Sequence, residues 1–537
     1  MSSGEFSGLI ESYLDLKWHL DPVEATGAGL AQHDQRYGEY EAEDLRRSLA
    51  ALRSLSGALE AVATDSLADE VDRTALLNDL RVTVNRFERE RPQERNPLFW
   101  ISHALDGLYL LLVLQDRTVE HRKHAVGERI RSLPGLLASA MGTLGRCPAV
   151  LMEAAVDMSE SGAALVEQAA AELHVSTDPD TSAACTKARE SLVAFSDHLR
   201  ARLDDGEDAG IGIGEDAFNF RLHYQHALQA SAPELWRFGQ RLIDRAEREL
   251  ARVAASIDPG VAWPDLADKL RREHSVTDGL AAAYATEMER SYLFVKERDL
   301  VAVPEGSLNV VETPEYLRSV IPLAAYQPPG AFSQDQTGWF YVTPPDPSAA
   351  VVGARRSMRD RCLHELPGIA LHEGYPGHHL QFLSAHAQPR LVRKVVMTPL
   401  TVEGWALYCE EMMGELGFYR NLEEEFFQRL AVLWRAVRVV IDVGLHTRGM
   451  TFSDAVQLLV ERVHSDVGSA EAEVRRYSAY PAYQLCYALG SHELVALRND
   501  YRRAAGSGYS QREFHAKVME YGGLPVSLMR WGMELSG

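Results

Sequence analysis

Residues 366–381 read L-P-G-I-A-L-H-E-G-Y-P-G-H-H-L-Q, and the fold turns on how this stretch is taken. His372 and Glu373 stand side by side, Pro376 and Gly377 follow, and the pair His378-His379 comes next. The apolar run Ile369-Ala370-Leu371 leads in, the pattern of a buried helix that delivers polar groups to a cavity. Two imidazoles to hold a metal and an adjacent carboxylate to take a proton from water are the parts of a zinc hydrolase site. The usual form is H-E-x-x-H, where histidines at i and i+4 share a helical face. Here the second histidine arrives two residues late. In an unbroken helix His378 would point about 120° away from His372, and His379 would regain its face only about 10.5 Å further along. Pro376 has no main-chain N–H to donate, and Gly377 is free to take angles that other residues avoid. A bulge that loops out two residues would carry His378 to the place of i+4. The alternative is a helix that ends at Pro376, with its histidines in solvent.

Working outward, a third ligand is offered by T-V-E-G-W-A-L-Y-C-E-E-M-M, residues 401–413. Glu403 sits among Val402, Trp405, Ala406 and Leu407, where a carboxylate is costly to bury without a cation. Glu410, seven residues on, shares that face and either supports the metal ligands or is solvated; Glu411 is expected in solvent. Two histidines and a glutamate with an open fourth position make a catalytic rather than a structural zinc arrangement.

Two further stretches carry polar groups on apolar helices. In 433–447, L-W-R-A-V-R-V-V-I-D-V-G-L-H-T, Arg438, Asp442 and His446 fall at i, i+4 and i+8. Arg438 is expected to pair with Asp442, orienting metal ligands or a substrate carboxylate, or serving structure alone. In 475–490, R-R-Y-S-A-Y-P-A-Y-Q-L-C-Y-A-L-G, Tyr480 and Tyr487 are seven apart, and a phenol aimed at a scissile carbonyl could stabilise its oxyanion. Core packing is the plainer alternative for either tyrosine. Arg476 joins the candidates for substrate contact. His364-Glu365 and His492-Glu493 also read H-E but lack a second histidine at chelating spacing; His364 could line the cavity without being a ligand.

Composition narrows the class. A chain of 537 residues exceeds one simple core, so two lobes are expected, 1–205 and 206–537, free to interleave in space. A net charge of -22 argues against nucleic acid and against an anionic membrane surface as partners. Five scattered cysteines, never in C-x-x-C, suit reduced thiols. The start, M-S-S-G-E-F-S-G-L-I-E-S, has neither a basic n-region nor an apolar h-region, and no apolar run is long enough to span a bilayer, so the expectation is cytoplasmic. Oligomeric state is not legible.

Helical periodicity dominates. Leu45, Leu49, Leu52, Leu55 and Leu59 recur at spacings of three and four, as do Leu76, Leu77 and Leu80. A strongly apolar helix is expected over 96–114, and helices over 117–205, 232–255 and 263–290. The acidic D-D-G-E-D-A-G-I-G-I-G-E-D, 204–216, reads as a linker; its glycines lack the strand and the phosphate-friendly field of a nucleotide loop. Prolines 304, 314, 322, 328, 329, 344, 345 and 347 crowd the next stretch, where G-W-F-Y-V-T, 338–343, is the best strand candidate. Its free edge could pair with an extended peptide, or it forms a short hairpin that only packs. After 366 the pattern returns to helix.

Taken together these stretches resemble the bacterial DUF885 family, whose signature is a helix bearing H-E-x-x-P-G-H-H-x-Q. Residues 372–381 match all ten positions. The resemblance runs nearly end to end, through P-V-E-A-T-G-A-G-L (22–30), N-P-L-F-W (96–100), T-P-E-Y-L-R (313–318), A-A-Y-Q-P-P-G (324–330), V-E-G-W-A-L-Y (402–408) and D-V-G-L-H-T (442–447). The family in turn looks related to helical metallopeptidases of the thimet oligopeptidase and angiotensin-converting enzyme type. That resemblance implies a mainly α, multi-helix, two-lobed fold with a deep cleft and a small β element near 338–343. It implies one zinc ion on His372, His378 and Glu403, with Glu373 as general base. His378 is preferred to His379 because the G-H of the motif aligns with the end of H-E-x-x-H. One departure stands out: a glutamine is expected soon after Pro481, and position 483 is Tyr, with Gln484 following.

The expectation is therefore a zinc-dependent metallopeptidase acting on short peptides, with Tyr487 or Tyr480 at the oxyanion and His379, Arg438, Asp442, His446 and Arg476 around ligands or substrate. The rivals are a metal-dependent amidase of non-peptide substrates and a non-catalytic helical binding protein whose Pro-Gly insertion has disabled the site.

Overall fold

Leu45, Leu49, Leu52, Leu55 and Leu59 form the buried stripe of the helix Ala42–Ala61, and Leu76, Leu77 and Leu80 are buried on Leu67–Asn85. In this computed structural model the chain is described over residues 2–535 except 115, 175–178, 277, 319–320, 322–323 and 345–360. Pro322, Pro345 and Pro347 of the proline-crowded stretch lie outside the described residues. The fold is mainly α with one small three-stranded sheet. Among the described residues no helix is long and apolar enough to cross a membrane.

The chain forms two units. The first takes residues 1–211 with the short returns 314–322 and 329–336. It is built on the apolar helix Pro97–Val113, which starts on its Asn96 cap and Pro97, and on the long helices Val119–Thr143, Ala149–Glu172 and Pro179–Asp204. The boundary between units, 211/212, falls in the acidic glycine-rich loop.

The second unit takes 212–313, 323–328 and 337–537 and holds every candidate residue named above. Ala232–Ile257 is one helix, as its periodicity indicates. The expected helix over 263–290 is instead two, Trp263–Glu273 and Leu280–Glu297. Periodicity runs through the join, but Gly279 adopts a left-handed φ of 67° and Ser275 bridges to Cys362, which turns the chain there.

The strand candidate is β3, Thr337–Val342, and its neighbours are β1, Ser307–Glu312, and β2, Ala324–Gln327. The order is β1-β3-β2, with β1 parallel to β3 over its whole length and β2 antiparallel from Ala324↔Val342 to Gln327↔Trp339. The expectation of a free edge on 338–343 is thus corrected: β3 is the central strand, and its main-chain groups are used on both sides. One face of the sheet packs Phe340 and Val342 against Tyr284 and Met288 of the helix Leu280–Glu297 and against Leu366 and Ala370 of the histidine-bearing segment. Burial of these side chains sets the sheet beside the candidate site.

Candidate metal centre

The motif helix Leu366–Glu373 and the helix His378–His386 are separated by a break at 374–377. The hydrogen bonds across it define what the break does. Gly374 N–H still donates to Ala370 O at 2.8 Å, a normal helical step. Next, Gly377 N–H donates to Leu371 O at 3.0 Å and Leu380 N–H to Gly374 O at 3.4 Å, each spanning six residues instead of four. Tyr375 and Pro376 are looped out, and the register resumes as though they were absent. Gly377 must be glycine, since a Cβ there would lie 1.9 Å from His372 O and 2.4 Å from Leu371 O. The extruded loop is pinned from the facing helix, where Trp405 Nε1 donates to Pro376 O at 2.8 Å and Cys409 Sγ approaches the same oxygen at 3.6 Å. His378 consequently sits in the i+4 place, its ring centroid 4.7 Å from that of His372, and both rings are buried.

Glu403 comes from the helix Pro399–Glu415, which begins on its Thr398 cap and crosses the helix Cys486–Ala505 at Gly404 and Gly490. Its Oε2 lies 3.4 Å from His378 Nε2 and 3.8 Å from His372 Nε2. Two ligand atoms about 2.1 Å from one tetrahedral zinc stand about 3.4 Å apart, so Glu403 Oε2 lies from each imidazole nitrogen at close to the distance between two ligands of one ion. The other oxygen, Oε1, accepts the phenol of Tyr483 at 2.6 Å. Behind His372, Nδ1 meets Glu410 Oε1 at 2.8 Å, which leaves Nε2 as the lone-pair nitrogen facing Glu403. The cluster is hungry for positive charge. Burial disfavours a charged His372, yet the carboxylates of Glu403 and Glu410 outweigh it and push its pKa up to about 9. Burial likewise opposes ionisation of Glu403, but the two imidazoles hold its carboxyl well below the usual range. A divalent cation suits such a donor set at least as well as a proton does.

Glu373 also has a carboxylate oxygen within 4.8 Å of ligand nitrogens of His372 and His378. Two carboxylates therefore compete for the third position. Glu403 is the more buried, and its second oxygen is fixed by Tyr483, whereas Glu373 lines the open side, a cavity of about 310 Å³ that it shares with His372, Glu410, Tyr326 and Tyr487. Of the two, Glu403 is the one enclosed with the imidazoles and Glu373 the one open to the cavity.

The remaining candidates separate clearly. His379 is turned from Glu403; its Nδ1 meets Tyr326 Oη at 2.9 Å, and a Cβ on Gly338 would lie 2.6 Å from that nitrogen. Tyr487 is on the cavity wall, and burial, then the Glu403 carboxylate, push its phenol up. Tyr480 is 51% exposed and is not on that wall. The expected Arg438–Asp442 pair does not form: Arg438 turns to Tyr477 Oη and Glu473, while Asp442 accepts main-chain N–H groups of Ala482 at 3.0 Å and Leu485 at 3.1 Å. The carboxylate does better with two N–H groups of a loop that has no helical partners of its own. Asp442 thereby holds the turn that carries Tyr483. His446 Nε2 meets Tyr477 O at 3.1 Å, and Arg476 binds Glu473 at 2.8 Å. His364 lines the cavity, whereas His492 packs on Phe238. Glu411 is not simply in solvent; Ser491 Oγ donates to it at 3.0 Å.

Sequence reasoning passed over Tyr326 and Arg435, and it treated Tyr483 as a departure rather than as a partner of Glu403. Tyr326 sits in A-A-Y-Q, a stretch that figured only in the family resemblance. Nothing local marks it, because the strand β2 that carries it has no distinct alternation.

The sequence matches the profile of the family described as "Bacterial protein of unknown function (DUF885)" over residues 22–533. No curated protein matches. Solved structures share the fold, among them two that match over nearly the whole chain. One, a "putative lipoprotein of unknown function" from Shewanella oneidensis, has a TM-score of 0.80 at 21% identity, covering 98% of this chain and 99% of that one. The other, a "putative lipoprotein" from Colwellia psychrerythraea, has a TM-score of 0.83 at 18% identity, covering 99% and 98%. The chain belongs to the DUF885 family.

Proposed function

We propose that this DUF885 protein is a zinc-dependent hydrolase, a metallopeptidase acting on short peptides, with His372, His378 and Glu403 holding one ion and Glu373 as general base. The observation that carries the reading is the two-residue bulge, which sets His378 Nε2 and His372 Nε2 around Glu403 Oε2 at 3.4 and 3.8 Å. A zinc ion bound there would act as a Lewis acid and lower the pKa of a coordinated water. Glu410 fixes the tautomer of His372, and Tyr483 leaves Glu403 one oxygen for the ion. Glu373, on the cavity wall beside them, takes the proton of the attacking water and returns it to the leaving amine. Tyr487 or Tyr326, both on that wall, would donate to the developing oxyanion. The likeness to helical metallopeptidases of the thimet oligopeptidase type supports the choice of peptides as substrates.

The test combines metal and activity. The purified protein is expected to bind about one zinc per chain and to cleave short peptides, and Glu373→Gln is expected to keep the metal while losing about 10²–10⁴-fold in kcat. A protein that binds no zinc-type metal, or a Glu373→Gln variant as active as the parent, ends the reading. Cleavage of simple amides with no action on peptides would transfer it to the amidase class.

A further inference from the structure

Three arginines, Arg271, Arg435 and Arg438, line the cavity that contains His372 and Glu373. Arg271 is taken up by Glu365 at 2.6 Å. The other two are rich in donors and poor in acceptors. Each guanidinium carries five N–H groups. The Arg438 side chain, 5% exposed as a residue, is held between Trp434, 4.0 Å from that ring centroid, and Tyr487, at 4.8 Å. Its Nε donates to Tyr477 Oη at 2.8 Å and its Nη2 reaches Glu473 Oε2 at 3.4 Å, while Nη1 has no acceptor among the described residues. Even Glu473 is shared, because Arg476 holds the same oxygen at 2.8 Å. Arg435 reaches Glu410 Oε1 at 3.3 Å, an oxygen already engaged by His372, and its Nε is buried with no acceptor.

Buried guanidinium groups are held at a cost unless their N–H groups are satisfied. Arg438 is buried and Arg435 largely so, and two such groups left short of acceptors on one cavity wall mark a place where a ligand supplies the oxygens. Packing alone explains the stacking of Arg438 on its rings but not why Arg435 meets only a carboxylate oxygen that His372 already engages. The charge of the ligand group is bounded from the other side. Glu365, Glu373, Glu410 and Glu424 also line the cavity, so a doubly charged phosphate would be repelled where a singly charged carboxylate is tolerated. A planar carboxylate also matches the fork of an arginine.

We propose that Arg435 and Arg438 form a subsite for a carboxylate of the substrate, supplied by the C-terminus of a short peptide or by an acidic side chain. The subsite rests on the hydrolase reading only for the word substrate; the binding itself is independent of turnover. It would make the protein selective for peptides whose carboxylate lies within a residue or two of the bond presented to Glu373.

The test uses the full chain in a Glu373→Gln background, with isothermal titration of N-acetyl-Ala-Ala, its C-terminal amide, and N-acetyl-Ala-Glu-amide. Binding of at least one of the two acids is expected to be about tenfold or more tighter than that of the neutral amide, the size of one charged hydrogen bond. Which acid it is identifies the source of the carboxylate. Arg438→Met is expected to remove the preference, with its folding checked by circular dichroism. Should that variant not fold, Arg438→Lys keeps the charge without the fork, and about a threefold loss of preference is expected. Equal binding of all three peptides, or a preference undiminished in the arginine variants, overturns the subsite. Hydrolysis is assayed separately in the parent protein: a chain that prefers acids but cleaves no peptide keeps the subsite and loses the peptidase reading.

Discussion

At the scale of single residues, the site is a set of assignments to particular atoms. Glu403 Oε2 faces the imidazoles because Oε1 is held by Tyr483, and His372 Nε2 faces Glu403 because Nδ1 is held by Glu410. Removing such a support loosens a ligand without removing it. Glu410→Gln keeps the size of the side chain but loses the charge that holds the His372 proton, and metal affinity is expected to fall about 10–100-fold. A zinc titration against a competing chelator measures this; an unchanged affinity would remove Glu410 from the site. The histidines and the carboxylate that meet here were legible in the sequence as candidates, and it is His378 rather than His379 whose ring meets Glu403. Their supports were not, since Glu410 reads as easily as a solvated residue and nothing near Tyr483 points to a carboxylate eighty positions earlier.

At the scale of elements, the bulge makes a sharp prediction. The two hydrogen bonds that cross it become ordinary i→i−4 bonds if Tyr375 and Pro376 are deleted, and the sequence becomes H-E-G-G-H. The shortened chain is expected to keep zinc within about tenfold of the parent's affinity while losing about 1–3 kcal/mol of stability, as Trp405 Nε1 loses the Pro376 carbonyl. Denaturant unfolding and zinc titration read the two effects. Loss of metal with intact folding would show that the loop itself is needed for the site. The crossing of the Glu403 helix with Cys486–Ala505 is equally exacting, since a Cβ on Gly490 would stand 2.0 Å from Leu400 O. Gly490→Ala is expected to cost about 1–3 kcal/mol in the same unfolding experiment, because main chain cannot step aside as a flexible side chain would. Neither a close crossing nor the central place of β3 in its sheet is written in a local pattern. Period and propensity identify a strand but not its neighbours, which for β3 come from 307–312 and 324–327.

At the scale of the whole molecule, buried imidazoles tie stability to pH. Burial lowers the pKa of His226 to about 4, and it does the same to His515. The folded state thus refuses a proton that the unfolded chain accepts near 6.5. The stability involved is fully present above about pH 6.5 and is lost as pH falls toward 4, by at most about 3 kcal/mol for each group. His226 Nε2 meets Ala482 O and Nδ1 meets Thr398 Oγ1, so His226→Gln keeps a donor for the carbonyl and removes the titration. Its melting temperature is expected to fall less between pH 7.5 and pH 4.5 than that of the parent; parallel curves would refute the assignment. The sequence by itself determined the helical class, the grouping of histidines and carboxylates and the length of the bulge, because hydrophobic period, side-chain type and the missing N–H of Pro376 act within a few residues. Only the tertiary structure decided which acids meet which imidazoles, that Asp442 holds the Tyr483 turn instead of pairing with Arg438, and that Arg435 and Arg438 line one cavity with few acceptors around them. Those outcomes depend on which distant segments pack together, and a buried charge takes whichever partner packing brings within reach.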